Sequence, residues 1–266
     1  MPQDKLSALK DILLQCKSLV IAYSGGADST FLLKVANDVL GGRVLAVTAR
    51  SETYTEEEAS FAEHFCRDNG IRHKFIRTNE FKDENFVSNP PDRCYFCKKE
   101  LFSKLKKIAK SGKYEYVVDG TNSSDSNDYR PGSRAKEELK VKSPLMGAAI
   151  GKNDIISMSK EMGLSTWNRH SSACLASRIP YGTRITKDLL SRIHEGEKFL
   201  RGLGLGQVRA RHLGNLVRIE VEKDKLSEVL QEDIADEISR KFKKLGYIYI
   251  TIDARGYRTG SMNEGF

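Results

Sequence analysis

The segment Ser24-Gly25-Gly26-Ala27-Asp28-Ser29 lies between an apolar run, Leu19–Ala22, and a helical pattern. Its glycines allow a tight turn with consecutive backbone N–H groups, and the positive end of the following helix attracts anions. Ser24 and Ser29 add hydroxyl donors. A carboxylate at Asp28 would repel phosphate unless Mg²⁺ lay between them. The loop therefore predicts a site for the pyrophosphate end of a nucleotide. The alternative is an ordinary capped turn.

A second polar segment, Gly120-Thr121-Asn122-Ser123-Ser124-Asp125, follows the apolar pattern at Tyr116–Asp119. If that pattern is a strand of the same parallel sheet, this loop also lies at a carboxyl end, where such sheets bind ligands. We expect Gly120, Thr121 and Asn122 to approach the nucleotide and Asp125 to help hold a metal. A solvated loop is the alternative. Lys152 is a further candidate phosphate ligand, although most lysines are simply solvated.

Three of the five cysteines could act together. Cys94 and Cys97 form a C-x-x-C pair, and Cys174 lies far along the chain. Three thiolates can hold a [4Fe–4S] cluster with one open iron, whereas a zinc site would need a fourth ligand such as His170. Spacing alone favours zinc or two buried cysteines over the cluster. The odd number of cysteines argues against a disulfide framework, and we expect Cys16 and Cys66 to be buried.

Alternating strand and helix patterns in the first half predict an α/β fold with a doubly wound parallel sheet. The second half instead contains two long helices and a hairpin that turns at Gly214-Asn215, which predicts a smaller α+β domain. We place the domains at 1–180 and 181–266, and we expect the basic tail near 255–261 to be mobile. The predicted strands are 19–23, 43–48, 73–77, 116–119, 207–213, 216–221 and 247–253. The predicted helices are 4–15, 31–40, 55–69, 97–110, 152–163, 186–203 and 233–245.

The composition is that of a globular protein, with 266 residues, 39% hydrophobic residues and 30% charged residues. A net charge of +8 suits an anionic partner but does not choose between a nucleotide and RNA. The sequence has neither an apolar run of membrane-spanning length nor the apolar core of a signal peptide near its start. We therefore expect a cytoplasmic protein with no membrane partner.

The first loop resembles the pyrophosphate loop of the PP-loop ATP pyrophosphatases, which have an adenine nucleotide alpha hydrolase-like fold. Three further motifs extend the resemblance over most of the chain. They are Pro91-x-x-Cys94-x-x-Cys97-Lys98, Asp119-Gly120-Thr121-Asn122 and Ser171-x-x-Cys174-Leu175-Ala176-Ser177-Arg178. Together they resemble the LarE family of ATP-dependent sulfur transferases, which build the nickel-pincer nucleotide cofactor of lactate racemase.

The resemblance implies an activity. ATP adenylates a carboxylate of pyridinium-3,5-biscarboxylic acid mononucleotide, and sulfur then displaces AMP to leave a thiocarboxylate. Family members with one cysteine, matching Cys174, surrender its own sulfur, whereas members with all three hold a [4Fe–4S] cluster. The three cysteines of this chain therefore move the interpretation from zinc to the cluster. The family also implies a sulfur donor and a homo-oligomer, with a hexamer as one candidate state.

The resemblance also assigns roles to residues. Arg50 falls where the family holds adenosine, and Arg209 and Arg211 match arginines that hold the substrate phosphate; the pattern alone would favour a charged, exposed strand face. Glu197 and Glu220 are weaker candidates for a metal. The residues assigned to ATP and pyrophosphate are Ser24, Gly25, Gly26, Asp28, Ser29, Arg50, Gly120, Thr121, Asn122, Asp125 and Lys152.

Two other functions are compatible with the sequence. One is thiolation of tRNA by a related PP-loop enzyme, although the family makes a nucleic-acid partner the less favoured prediction. The other is a non-catalytic nucleotide-binding module with a structural zinc.

Overall fold

The computed structural model of the chain describes residues 2–127, 131–168, 174–258 and 260–263. Its internal contacts divide the chain into two compact units. One comprises Met1–Phe86 and Pro91–Ser172, and the other comprises Val87–Pro90 and Ala173–Phe266. The second unit thus includes four residues from the first half of the chain, in addition to a C-terminal part that begins before the predicted boundary at 180.

Helices and strands alternate through the first unit, as the sequence pattern predicts. In the described residues the helices are α1 (Pro2–Cys16), α2 (Ala27–Leu40), α3 (Glu56–Asp68), α4 (Glu84–Val87), α5 (Arg93–Ser111), α6 (Gly132–Glu138), α7 (Pro144–Gly147), α8 (Lys152–Glu161), α9 (Lys187–Gly202), α10 (Leu226–Val229) and α11 (Glu232–Lys244). The strands are β1 (Leu19–Ala22), β2 (Val44–Arg50), β3 (Arg72–Arg77), β4 (Tyr116–Val118), β5 (Arg209–Leu213), β6 (Leu216–Glu220) and β7 (Tyr249–Ile252).

The first unit is built on a parallel sheet with the strand order β3-β2-β1-β4. Its central strand β1 is apolar throughout because both faces are covered. Leu19 and Ile21 pack in a core formed with α1, α2 and α8, whereas Val20 packs with Phe102 and Leu105 of α5 on the other face. The predicted doubly wound α/β fold is confirmed. The strand order reverses between β1 and β4, so the loops after these two strands flank the position where such sheets bind ligands.

Two segments of this unit differ from the prediction. Helix α5 begins at Arg93, four residues before the predicted start at Cys97, so its first turns contain the C-x-x-C pair. Helix α6 forms in a stretch for which no helix is predicted, and it packs against α5. Cys16 and Cys66 are buried as expected, and burial raises the pKa of the Cys66 thiol to about 12.

The second unit contains a three-stranded sheet in the order β5-β6-β7. Strands β5 and β6 form the predicted antiparallel hairpin, and its turn contains Gly214 at φ +68°. Strand β7 is parallel to β6. Leu200 of α9 and Phe242 of α11 belong to the core of the unit together with apolar residues of β5 and β6. The predicted smaller α+β region is confirmed.

The segment Val87–Pro90 joins the second unit through Asn89, which is fully buried and has φ +57°. The side-chain amide of Asn89 donates to the carbonyl oxygens of Pro180 at 2.8 Å and Thr183 at 3.0 Å. Its own carbonyl oxygen accepts from the N–H of Gly182 at 2.9 Å. Asparagine tolerates this left-handed conformation better than most residues. No helix in the described part of the chain has both the length and the apolar composition needed to cross a membrane.

Candidate functional site

The loop after β1 is shaped by glycines and held by its own hydroxyls. Gly25 has φ +73°, and a Cβ there would lie 3.3 Å from Cδ1 of Phe61. Gly26 is the N-cap residue of α2 and supplies no side-chain cap. Ser29 Oγ donates to the carbonyl oxygen of Gly26 at 3.1 Å and lies 3.1 Å from Ser24 Oγ. The first turn of α2 is therefore without a side chain at its cap position, as an anion-binding helix N-terminus requires.

The loop after β4 contacts the loop after β1. Asn122, which is buried, donates from Nδ2 to Oδ2 of Asp28 at 3.1 Å. Gly120 lies against the start of α2, because a Cβ at this position would be 3.0 Å from both Cα and N of Ser29. The structure therefore brings Asp28, Ser29, Gly120 and Asn122 together at the carboxyl ends of neighbouring strands.

The carboxylate of Asp119, at the start of the second loop, is held by several polar side chains. Its carboxylate accepts hydrogen bonds from Thr121 Oγ1 at 2.7 Å and Ser143 Oγ at 2.6 Å, and it lies 3.5 Å from Lys136 Nζ. Burial alone would raise the pKa of Asp119, but the charges of Lys98 and Lys136 and the two hydroxyl donors lower it. Lys136 is not among the predicted site residues, because no motif surrounds it; it lies in α6, outside the predicted helices.

Asp125 and Lys152 lie on either side of the same loop. Asp125 Oδ2 accepts from the backbone N–H of Asn122 at 3.1 Å, so this carboxylate fixes the loop conformation. Lys152 begins α8, its side chain is exposed, and its backbone N–H donates to Ser124 Oγ at 3.0 Å. Arg50 ends β2, one strand away from the loops, and its guanidinium lies 3.9 Å from the centroid of the Phe75 ring. The assigned roles of these three residues stay predictions.

The C-x-x-C pair lies in the first two turns of α5, so its side chains share one face of the helix. Cys94 is exposed and Cys97 is half-buried. The thiol of Cys97 donates to Oε1 of Glu80 at 3.7 Å. Glu80 is only 4% exposed, and burial raises the pKa of its carboxyl group. Sequence reasoning missed Glu80, which has no motif around it, because only the tertiary fold shows its contact with Cys97.

Buried ion pairs organise the region around the predicted substrate arginines in the second unit. Arg178 forms a bidentate pair with Glu197, with distances of 2.8 and 3.1 Å. Burial disfavours both charges, but the pairing raises the pKa of Arg178 and lowers that of Glu197. Arg211 donates from Nη2 to Oε2 of Glu220 at 2.8 Å. Breaking such a pair leaves an uncompensated buried charge.

Arg209 and Arg211 are each only 5% exposed. The alternative of a charged, solvated strand face is therefore wrong. The buried Arg211 Nε has no hydrogen-bond partner in the part of the chain that the structure describes. Burial and the neighbouring charge of Arg178 lower the pKa of Arg209 to about 10. Both observations indicate that an anion would be favourable beside these arginines.

The basic tail packs against this region in the described residues, so the expectation that it is mobile is wrong there. Ser261 Oγ donates to Glu220 Oε1 at 2.6 Å, and Arg211 Nη2 donates to Ser261 Oγ at 3.1 Å. Arg258 pairs with Asp253 at 3.0 Å. The tail therefore helps to position the carboxylate that faces Arg211.

Comparison with known proteins identifies the family. No family model matches the chain. An uncharacterized protein of Synechocystis is 40% identical over 264 residues, which are 99% of this chain and 98% of that protein. The pyridinium-3,5-bisthiocarboxylic acid mononucleotide synthase of Lactiplantibacillus plantarum is 37% identical over 260 residues, which are 97% of this chain and 92% of that enzyme. The chain belongs to the LarE family.

More distant relatives place this LarE-family chain among the PP-loop proteins. One component of the glutamine-hydrolyzing GMP synthase of Thermoplasma volcanium is 26% identical over 180 residues, which are 61% of this chain and 57% of that protein. The family name and the loop geometry thus agree, since both indicate a PP-loop enzyme.

The three cysteines that are predicted to hold a metal centre in this LarE-family chain belong to two different units. Cys94 and Cys97 lie in the first unit and Cys174 lies in the second. Among the described residues no group of three or more His, Cys, Asp or Glu side chains is arranged to hold a metal ion. Glu197 and Glu220 are therefore not part of such a group. His170 and residues 171–173, which precede Cys174, lie outside the described residues.

The cysteines nevertheless fit the chemistry of an iron–sulfur cluster. Two thiols, one exposed and one half-buried, share a face at the N-terminal end of α5. Cys174 is likewise exposed, at the cap of a short 3-10 turn, Leu175–Arg178. Soft thiolate ligands of this kind suit iron–sulfur clusters and zinc. The cluster stays a prediction for this chain.

Proposed function

We propose that this chain is an ATP-dependent sulfur transferase that converts a carboxylate of pyridinium-3,5-biscarboxylic acid mononucleotide into a thiocarboxylate. Membership of the LarE family supports the reaction, because the named relative is a synthase of the bisthiocarboxylic product. The observation that carries the ATP part is the contact between the two polar loops, in which Asn122 bonds Asp28 and Gly120 lies against Ser29.

In the first half-reaction a carboxylate oxygen of the substrate attacks the α-phosphorus of ATP, and pyrophosphate leaves. The products are an acyl adenylate and pyrophosphate. Adenylation is needed because a carboxylate otherwise has only oxide to expel. The N–H groups of the first loop and of α2 would bind the departing pyrophosphate. Mg²⁺ held by Asp28 would neutralise charge on the phosphate oxygens.

The arginines of β5 would hold the phosphate of the substrate mononucleotide. Arg211 retains a buried donor, Nε, after bonding Glu220, and Arg209 carries a charge that burial makes costly. A phosphate dianion would satisfy both conditions. Guanidinium groups match phosphate geometry better than ammonium groups do. This role makes the second unit the part that selects a phosphorylated substrate.

In the second half-reaction a sulfur nucleophile attacks the carbonyl carbon of the acyl adenylate, and AMP leaves with the bonding electron pair. Cys94, Cys97 and Cys174 would hold a [4Fe–4S] cluster, which supplies an open iron site for an inorganic sulfide when bound. The role of the three thiolates is to keep the sulfur source beside the activated carbonyl. We further propose that the enzyme acts in the cytoplasm as a homo-oligomer, with a small nucleotide as substrate and no nucleic-acid or membrane partner.

Anaerobic purification followed by iron and sulfide analysis tests the sulfur source. We expect iron and acid-labile sulfide at a ratio near one, with a broad visible absorbance. Cys94→Ser should abolish both. Cys16→Ser is the matched control, because Cys16 is the last residue of α1 and is buried in the core, and it should keep the iron. One equivalent of zinc, with no iron, would instead identify a structural metal.

Product analysis tests the chemistry separately. Incubation with ATP, Mg²⁺, sulfide and the dicarboxylate mononucleotide should release AMP and pyrophosphate together with a product heavier by 16 mass units per exchanged oxygen, the difference between sulfur and oxygen. ADP formation would contradict the proposal. Tight, salt-dependent binding of tRNA without this product would favour a tRNA-thiolating enzyme.

A further inference from the structure

Strand β7 leaves one edge of the second sheet open in the described residues. The sheet order is β5-β6-β7, so β7 has a strand neighbour on one side. The N–H groups of Tyr249 and Asp253 donate toward the β6 side, to the carbonyl oxygens of Asn215 at 3.1 Å and Ile219 at 2.9 Å. Because backbone groups alternate along a strand, those of Ile250 and Ile252 point to the open edge.

The surface beside this edge is apolar. Leu230, Ile248 and Tyr249 are 65%, 57% and 62% exposed, and we call them the β7 patch. A groove of about 340 Å³ lies between β7 and α11, and all three residues of the patch line it. Its walls include Ile238 of α11 and Ile252 of β7. Proteins ordinarily protect open edges with charges, bulges or covering segments, and a contiguous exposed apolar surface marks an interaction site.

The charges of α11 select a partner for this surface. The helix begins with Glu232 and Asp233 and ends with Lys241, Lys243 and Lys244. Because β6 and β7 are parallel and α11 lies in the connection between them, α11 runs in the opposite direction to β7. Helix α11 therefore flanks the open edge with opposite charges at its two ends.

A second copy of the chain fits both features. Two identical edge strands related by a two-fold axis must pair in antiparallel orientation. The flanking α11 helices then also run antiparallel, so the acidic start of each helix approaches the basic end of the other. A parallel arrangement would instead juxtapose like charges. Complementarity of this kind favours self-association over a partner of uniform charge.

We propose that the β7 edge, the β7 patch and the groove beside α11 bind the same surface of a second copy through a two-fold axis. The two three-stranded sheets then become continuous across β7, and the apolar side chains of each patch are buried. This assignment gives the predicted homo-oligomer a specific interface within the second unit, and it does not depend on the proposed sulfur chemistry.

Measurement of the mass in solution tests the apolar part of the proposal. The double variant Leu230→Glu/Tyr249→Lys changes exposed side chains only, and we expect an assembly with half the mass of the wild-type assembly by light scattering. Leu14→Glu is the matched control, since Leu14 is an apolar residue of α1 with 52% exposure, and it should keep the wild-type mass. Circular dichroism verifies that each variant is folded.

Charge reversal tests the antiparallel geometry without changing an apolar residue. Lys243→Glu/Lys244→Glu should weaken association by about tenfold or more, because the acidic ends would then face one another. Adding Glu232→Lys/Asp233→Lys to the same chain should restore it, since both helix ends are then reversed together. Restoration is not expected from a merely structural effect of the substitutions.

Three results would overturn the inference. The first is a wild-type protein that stays monomeric at micromolar concentration. The second is an unchanged mass for the folded patch variant. The third is a doubly reversed helix that associates no better than the singly reversed one.

Discussion

The two candidate binding regions use different chemistry for the same kind of ligand. In the first unit the two polar loops consist of backbone groups, glycines and short polar side chains, such as Gly26 and Asn122. In the second unit the arginines of β5 are buried among carboxylates, with Arg211 2.8 Å from Glu220. Ligand binding in the first region would depend on the space left at its glycines. In the second region it would depend on the balance between buried arginines and carboxylates.

This difference predicts how each region fails. Removing one polar side chain from the loops leaves the backbone donors in place, but adding a methyl group closes the space. In the second region a charge cannot be removed alone, because its buried partner then loses compensation. The two regions should therefore respond in opposite ways to small and large substitutions, and the following experiments test that contrast.

The largest effect is expected for Glu197→Ala. This change leaves the buried guanidinium of Arg178 without its bidentate partner and should lower the free energy of unfolding by about 3–5 kcal/mol. Denaturant unfolding followed by circular dichroism measures it. Glu195→Ala, an exposed neighbour on α9, is the control and should change stability by less than about 0.5 kcal/mol. Equal effects of the two variants would refute the charge-balance account.

Gly120→Ala tests the steric account of the first unit. The added Cβ would lie 3.0 Å from Cα and N of Ser29, so the loop and the start of α2 must separate. We expect a loss of stability of about 1–3 kcal/mol and a roughly tenfold weaker ATP affinity, measured by calorimetry. At Gly42 a Cβ would meet no atom within 4 Å, so Gly42→Ala should bind ATP like the wild type.

Arg209→Met tests whether the buried arginines of the second region bind an anion. Inorganic phosphate should raise the melting temperature of the wild-type protein, and the rise should be about 2–4 °C smaller in the variant. Sodium chloride at equal ionic strength controls for screening. Arg240→Met, at an exposed position of α11, should retain the full response to phosphate. An equal rise in melting temperature in Arg209→Met would show that Arg209 does not contribute to anion binding.

The smallest effect concerns Asp119 and depends on pH. Since its lysine and hydroxyl neighbours lower its pKa in the folded state, the ionised form stabilises the fold at neutral pH. That contribution is fully present above the unfolded pKa, near 4, and is lost as pH falls through the lower folded value. The Asp119→Asn variant should therefore have a flatter decline of stability in acid. Asp11→Asn, on the exposed side of α1, should follow the wild-type decline.

The sequence was sufficient for the parts of the molecule that depend on local pattern. The loop after β1, the apolar β1 and the capping box of α3, where Thr55 and Glu58 bond reciprocally, all follow from residues close together in the chain. The start of α5 does not, because Arg93-Cys94-Tyr95-Phe96 lacks a helical pattern and the helix is set by its packing against α6.

Contacts between distant residues could not be predicted. Glu80 meets Cys97 across 17 residues, Arg178 meets Glu197 across 19, and Asn122 meets Asp28 across 94. Each residue looks like an ordinary polar side chain in its own neighbourhood. Only burial and pairing distinguish it from a solvated side chain. The sequence therefore left two interpretations of Arg209 and Arg211, an exposed strand face or a phosphate site, and it did not indicate which carboxylates lie beside them.

The amide of Asn89 has a consequence for biosynthesis. Its two closest acceptors, on Pro180 and Thr183, lie 91 and 94 residues further along the chain. During translation the segment Val87–Pro90 leaves the ribosome long before Pro180 and Thr183 are synthesised. The amide of Asn89 therefore cannot form these two hydrogen bonds while the preceding part of the chain folds. A nascent chain arrested ahead of residue 180 should therefore be open to proteases at this segment, and completion of synthesis should close it.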